Sequence, residues 1–99
     1  MEKILKLLYE VQKEMSAKIN LTKNKITEME VEIDNRNDFY ESKSDKWKDS
    51  DKGTEYSEKI EELEDEKSEV EDLLDQFNEF LSDIDDKVWF LQSYVFQYE

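Results

Sequence analysis

Apolar residues in the second half of the chain recur at steps that alternate between four and three. Only Lys67 departs from this apolar seam. Because such spacing keeps one stripe of a helix apolar over six heptads, it predicts a long coiled-coil helix. Its members are Tyr56, Ile60, Leu63, Lys67, Val70, Leu74, Phe77, Leu81, Ile84, Val88, Leu91, Val95 and Tyr98.

The first half carries a weaker series of the same kind. Polar residues interrupt it at Thr22, Arg36 and Lys43, and two successive steps of four occur around Met15. Such a stutter relaxes a supercoil locally but does not end a helix. The series therefore predicts a second long helix, with the seam Ile4, Leu8, Val11, Met15, Ile19, Thr22, Ile26, Met29, Ile33, Arg36, Tyr40, Lys43 and Trp47.

The single glycine, Gly53, marks the predicted connection between the two helices. A glycine can take the left-handed conformation that ends a helix, and Thr54 is a residue type that caps the next one. We predict helix 1 over about 3–47, a turn over about 48–54 and helix 2 over about 55–98. The expected fold class is all-α, with residues 1–99 forming a single helical-hairpin domain.

The two seams align when the chain is folded back at this turn. Facing residues then have nearly constant index sums: Ile33 with Val70 and Ile19 with Ile84 both sum to 103. The alignment predicts an antiparallel two-helix coiled-coil hairpin. A rival interpretation breaks helix 1 at residues 34–38, because Asp34-Asn35-Arg36-Asn37-Asp38 is a run of mostly poor helix formers.

Charge is distributed very unevenly along the chain, whose net charge is −14. Residues 1–52 hold 12 acids and 11 bases, whereas residues 53–99 hold 16 acids and 3 bases. Most acids of the second half lie off the seam, so helix 2 should present a carboxylate surface. The predicted partner-binding residues are Glu58, Glu61, Glu62, Asp65, Glu69, Asp72, Asp75, Glu79, Asp83 and Asp86.

This acidic surface has two interpretations. Phosphates would repel it, so direct nucleic-acid binding is not expected, and a basic surface of a nucleic-acid-binding protein is the predicted partner. Fourteen acids between Glu58 and Asp86 give one charge per about 3 Å of helix, close to the ~3.4 Å phosphate spacing of one DNA strand. In the second interpretation the carboxylates only keep the protein soluble.

Aromatic residues make the end of helix 2 apolar nearly all round. They are Trp89, Phe90, Tyr94 and Phe96, and they lie beside the seam residues Val88, Leu91 and Val95. A helix that is apolar all round is buried against something. We therefore predict either a homodimer, with two hairpins closing into a helical bundle, or a binding hot spot for another protein.

Several classes of function are not expected from this composition. The chain has no Cys, which removes a thiolate nucleophile, and no His, which removes the commonest general base and transition-metal ligand. Enzymatic activity, a cofactor and a metal site are not predicted. No segment approaches a membrane span, and no signal-peptide pattern is present, so the expected location is the cytoplasm.

The segment from Phe39 to Tyr56 carries a Lys-Ser pair, a Trp, a Ser and a Gly in order. It resembles a run found in small proteins of phages and mobile elements. The small size and acidity are also similar to phage anti-defence proteins, including anti-CRISPR inhibitors that mimic DNA. This resemblance implies the cytoplasm of an infected host cell as the location. A purely structural reading has Trp47 and Tyr56 close the hairpin across the turn.

The leading hypothesis is therefore a phage-type inhibitor that blocks a basic nucleic-acid-binding surface of a host defence protein by DNA mimicry. One alternative is a structural or assembly coiled coil that works through its aromatic C-terminal end. Another is an antitoxin or immunity protein that neutralises a basic nuclease. The sequence leaves these alternatives open.

Overall fold

The computed structural model describes residues 1–98, which form three α-helices and no β-strand. α1 spans Glu2–Glu41, α2 spans Asp45–Lys48, and α3 spans Asp51–Tyr98. The chain contains no proline to interrupt α1 or α3, which are 40 and 48 residues long. The all-α prediction is confirmed.

The predicted seam positions are the ones that lie buried or half-buried between the helices. All but two of them are buried or half-buried; Ile4 and Tyr98 are exposed, and Leu5 is buried where the pattern pointed to Ile4. The hydrophobic core comprises Leu5, Ile19, Ile26, Ile33, Ile60, Ile84 and Val88. The spacing of four and three thus identified the packed stripe of both long helices.

The predicted bounds of the connection were wrong. α1 ends six residues before position 47, and α3 begins four residues before position 55. Ser44 adopts an extended conformation and accepts a hydrogen bond from the Trp47 backbone N–H at 3.2 Å, which caps α2. The caps of α2 and α3 are therefore serines at positions 44 and 50, and Thr54 lies inside α3.

Gly53 does not end a helix, contrary to the prediction. It lies in the first turn of α3, and no described residue has a positive φ. An added Cβ at this position would lie 2.2 Å from the Trp47 carbonyl oxygen and 2.6 Å from that of Lys48. The glycine is required because the backbone at the end of α2 packs directly onto it.

The rival interpretation that broke helix 1 at residues 34–38 is also wrong, since α1 runs through all five positions. Arg36 pairs with Glu32 one turn earlier at 2.7 Å, and Ile33 is buried. A buried seam residue and an i,i+4 ion pair outweigh the weak helix propensity of Asn and Asp in this run.

The terminal unit is the first of two compact units and comprises Met1–Lys23 together with Leu73–Glu99. Its core contains Leu5, Ile84 and Val88, against which Leu8, Val11 and Leu91 pack. Two side-chain hydrogen bonds also join α1 to α3 here. Gln12 donates to Asp85 at 2.7 Å, and Gln92 donates to the Tyr9 hydroxyl.

The central unit comprises Asn24–Asp72 and includes all of α2. Phe39, Trp47 and Tyr56 form an aromatic cluster in which each ring contacts the other two, with centroids 5.1 to 6.1 Å apart. The ammonium of Lys43 lies 4.6 Å from the centre of the Phe39 ring. Trp47 and Tyr56 contact each other as the structural reading expects, with rings 5.9 Å apart, but Trp47 lies in α2 and not in helix 1.

Contacts between α1 and α3 have lower index sums than the predicted 103. Within the terminal unit, Gln12 and Asp85 sum to 97 and Tyr9 and Gln92 to 101; within the central unit, Glu30 and Lys67 sum to 97. The difference follows from the helix ends. Because α1 ends six residues earlier and α3 begins four residues earlier than predicted, the connection lies nearer the N-terminus and the index sums within each unit are lower.

Candidate protein-binding surface

The carboxylates of α3 within the central unit are displayed to solvent. All six of the predicted partner-binding residues in this unit are exposed, and they are Glu58, Glu61, Glu62, Asp65, Glu69 and Asp72. The seam residues Ile60, Leu63 and Lys67 anchor this stretch of α3 from the opposite side. Helical periodicity thus separates the packed stripe from the acidic one.

A shallow groove of about 530 Å³ lies among these acids. Its lining includes the four acids Glu62, Asp65, Glu66 and Glu69 and two basic residues, Arg36 and Lys59. A concave surface with several carboxylates can receive a cationic side chain from a partner, because negative charges around a cleft focus its field. We call the six exposed acids and this groove the acidic surface.

Lysines of the same chain neutralise little of the acidic surface. Residues 55–72 contain ten acids and two lysines, a net charge of −8. Lys59 pairs with Glu62 at 3.2 Å, and both side chains are more than half exposed. Ion pairs as exposed as this one contribute roughly 0–1 kcal/mol, so a partner can replace them at little cost.

Lys67 is the basic residue that ties the two long helices together in the central unit. It lies 3.4 Å from Glu30 on α1 and 3.4 Å from Glu71 on α3. Partial burial lowers the pKa of Lys67, but its hydrogen bonds to Glu30 and Glu71 outweigh that effect and raise the pKa above its ordinary value. Lys67 therefore stays charged, and it pairs with Glu30 and Glu71 rather than with the acids of the acidic surface.

The remaining predicted acids lie in the terminal unit. Asp75, Glu79, Asp83 and Asp86 are all exposed on α3. This unit holds nine acids and six bases, a net charge of −3, whereas the central unit holds 19 acids and eight bases, a net charge of −11. The strongest negative field therefore belongs to the central unit.

The four aromatic residues predicted as a hot spot are exposed, but they do not form one patch. Trp89 and Phe96 each follow a seam residue, whereas Phe90 and Tyr94 each precede one. Residues before and after a seam position point to opposite sides of it. Phe96 is 91% exposed and Trp89 70%, so solvent reaches nearly all of both side chains.

Sequence reasoning missed the serines that build the connection. Ser50 donates to the Trp47 carbonyl oxygen and accepts from the Gly53 backbone N–H at 3.2 Å. The signal was present, since Ser44, Trp47, Ser50 and Gly53 recur every three residues. Each is joined to the next by a hydrogen bond between a serine hydroxyl and a backbone group, which gives this spacing a structural reason.

The structure offers no other chemistry among residues 1–98. No group of three or more Asp and Glu side chains there is arranged to hold a metal ion. No helix in the described part of the chain is long and apolar enough to cross a membrane. The chain matches no known protein family, and comparison with curated proteins and with solved structures found no significant similarity.

Proposed function

We propose that this chain is an inhibitory binding protein whose acidic surface occupies a basic nucleic-acid-binding site on another protein. The observation that carries the proposal is the exposed net charge of −8 over residues 55–72, with the neutralising lysine Lys67 turned to other carboxylates. The resemblance to phage anti-defence proteins suggests a host defence protein as the target, met in the host cytoplasm.

The charge density of the acidic surface suits this role. Eighteen helical residues span about 27 Å, so ten acids give roughly one charge per 3 Å. One strand of duplex DNA carries a charge every ~3.4 Å. A groove shaped for one phosphate strand can therefore meet a comparable number of carboxylates.

The like charges are costly to the helix itself. Glu58 and Glu62, Glu61 and Asp65, and Asp65 and Glu69 are each four residues apart. Each such pair destabilises a helix by about 0.2–0.5 kcal/mol. Lysines at alternate positions would remove this cost. A binding role explains why carboxylates occupy these positions instead.

The proposal includes an antiparallel hairpin and its dimer. Support for the hairpin comes from inside each unit: Gln12 contacts Asp85 and Tyr9 contacts Gln92 in one, and Glu30 contacts Lys67 in the other. The dimer is supported by exposed apolar residues of the terminal unit, which include Leu21, Leu73 and Phe80.

An assembly role is the second candidate function, and the exposed aromatic end of α3 favours it. In that case, replacing Trp89 and Phe96 by Ala abolishes binding to partners, and changes to the acidic surface have little effect. An antitoxin of a basic nuclease would behave like the inhibitor, because both act through carboxylates. Recovery of a nuclease as the bound protein would identify that case.

The test reverses four acids of the acidic surface, with Glu62→Lys, Asp65→Lys, Glu69→Lys and Asp72→Lys combined. The immobilised protein is exposed to nuclease-treated bacterial lysate, and short duplex DNA elutes whatever competes with it. We expect the wild-type protein to capture proteins that duplex DNA then elutes. We expect the variant to capture none of them.

A matched control carries the same change in charge on α1, through Glu2→Lys, Glu10→Lys, Asp34→Lys and Asp38→Lys. All four positions are exposed. The control should retain the DNA-eluted proteins almost as wild type does. Equal loss of capture in both variants would show that capture depends on the overall charge of the chain. Undiminished capture by the first variant would refute DNA mimicry.

A further inference from the structure

The two sides of the seam in the terminal unit carry different residues. One helical step is about 100°, so a residue just before a seam position and a residue just after it point to opposite sides. The residues after the seam make the hydrogen bonds between helices: Tyr9 follows Leu8, and Gln92 follows Leu91. Gln12 and Asp85 also follow seam residues and bond to each other.

Those hydrogen bonds place the residues that come just after a seam position, on both helices, on one side of the seam. The residues that come just before a seam position, on both helices, therefore share the other side. That side also carries polar residues such as Lys3 and Asp83, but six of its exposed residues are apolar. They are Leu7, Leu21, Leu73, Phe80, Phe90 and Tyr94, and each immediately precedes a seam residue. We call these six residues the leading face.

A groove of about 230 Å³ belongs to the same side. It is lined mainly by the apolar side chains of Val11, Met15 and Phe77, with Glu14 and Lys18 at its rim. Glu14 and Lys18 immediately precede the seam residues Met15 and Ile19. The leading face is thus a row of exposed apolar side chains beside an apolar depression that a protruding side chain can fill.

We propose that the leading face is covered by the leading face of a second copy of this chain. The inference rests on the proposed dimer and identifies its surface. Six large side chains, each about half exposed, offer roughly 600 Å² per copy, since an aromatic side chain can bury 150–250 Å². Two copies then bury about 1,200 Å², the size at which stable interfaces begin.

Charge complementarity favours a second copy over another protein. The apolar series at spacing seven is interrupted once on each helix, by Glu14 on α1 and by Lys87 on α3. Within residues 1–98 neither forms an ion pair in its own chain. A two-fold contact pairs each surface with its own copy, so Glu14 of one chain can meet Lys87 of the other twice.

The small core gives an independent reason for this association. The described chain buries seven hydrophobic residues, and none of its side chains is completely buried. A helix pair packed along one stripe gains little from hydrophobic burial, and small domains commonly gain the rest by oligomerisation. Covering the leading face places a second layer of apolar residues beside the seam.

The test is sedimentation velocity of the full chain over a range of protein concentrations. The variant combines Leu21→Glu with Phe80→Glu, and its matched control combines Trp89→Glu with Phe96→Glu on the opposite side of the seam. We expect wild type and control to dimerise, and the leading-face variant to dimerise at least 100-fold more weakly. Far-UV circular dichroism checks that each remains helical.

A charge exchange keeps the test decisive if the glutamate variant loses helicity. Glu14→Lys and Lys87→Glu should each weaken dimerisation, and the double variant should restore it. The proposed surface is wrong if the leading-face variant dimerises like wild type while the control does not. A wild type that stays monomeric at every concentration would refute the proposed dimer as well, whereas capture of DNA-eluted proteins would be untouched by either result.

Discussion

The central and terminal units divide two kinds of surface between them. The central unit carries a net charge of −11, and two of its large hydrophobic residues, Val31 and Phe39, are exposed. The terminal unit carries −3 and exposes twelve large hydrophobic residues. Repulsion between like charges opposes self-association through the central unit. Exposed apolar area favours self-association through the terminal unit. The contrast indicates separate roles for the two units.

The two units are also held together differently. The terminal unit packs aliphatic side chains, with Ile84 and Val88 against Leu5. The central unit relies more on specific contacts: rings around Trp47, the backbone packing of Gly53, and the ion pairs of Lys67. Aliphatic packing tolerates exchange of similar side chains, whereas a backbone contact or a ring cluster does not.

The largest expected effect comes from emptying part of the aliphatic core. Ile84→Ala should destabilise the protein by about 2–4 kcal/mol, the usual range for removing a buried aliphatic side chain. Hydrogen exchange read by mass spectrometry should show faster exchange in residues 1–23 and 73–98 than in the central unit. Equal acceleration in both would mean that the units open together.

Gly53→Ala should destabilise the central unit. A methyl group 2.2 Å from the Trp47 carbonyl oxygen forces the backbone apart, at a cost of about 1–3 kcal/mol. This exceeds the gain of about 1 kcal/mol that alanine normally brings to a helix. Urea unfolding followed by Trp fluorescence measures the difference. A stabilised variant would show that α2 does not pack on α3 as described.

Ser50→Ala should cost about 1 kcal/mol, because Ser50 caps the first turn of α3 through the Gly53 N–H. Thr54→Ala is the matched control and should leave stability nearly unchanged, since Thr54 lies within α3. Thermal unfolding of the two variants distinguishes the observed start of α3 from the predicted one. A larger loss of stability for Thr54→Ala than for Ser50→Ala would mean that α3 begins where the sequence predicted.

The smallest effect should come from Lys67→Leu, and it should be favourable. Lys67 occupies a seam position with its side chain about one-quarter exposed. Leucine there would gain about 1 kcal/mol from burial, more than the partly exposed ion pairs with Glu30 and Glu71 contribute. Urea unfolding should show a higher midpoint. A lower midpoint would mean that the ion pairs stabilise the central unit more than apolar packing can.

Periodicity predicted the long helices and their packed stripe because side chains spaced by four and three must share one side of a helix. It worked even at residues 34–38, where propensity argued against helix. It did not locate the connection, because Gly53 can serve either a left-handed turn or a close backbone approach. Only the position of the Trp47 carbonyl oxygen distinguishes the two.

The exposure of the acidic surface also follows from the sequence, since all six acids lie off the seam. The division of the aromatic residues was not predicted. Counting aromatic residues near the C-terminus grouped Trp89 with Phe90, although one follows a seam residue and the other precedes one. Their sides became clear from the hydrogen bonds of Gln92 and Asp85, which no residue spacing specifies.

The most direct test of the proposed function neutralises the acidic surface without altering its shape. The variant combines Glu62→Gln, Asp65→Asn, Glu69→Gln and Asp72→Asn, and DNA-eluted capture is measured at about 50 and 300 mM salt. We expect wild-type capture to fall steeply between these concentrations, because salt screens exposed charges, and the variant to capture nothing at either. Equal capture by the variant and wild type at low salt would contradict the central claim.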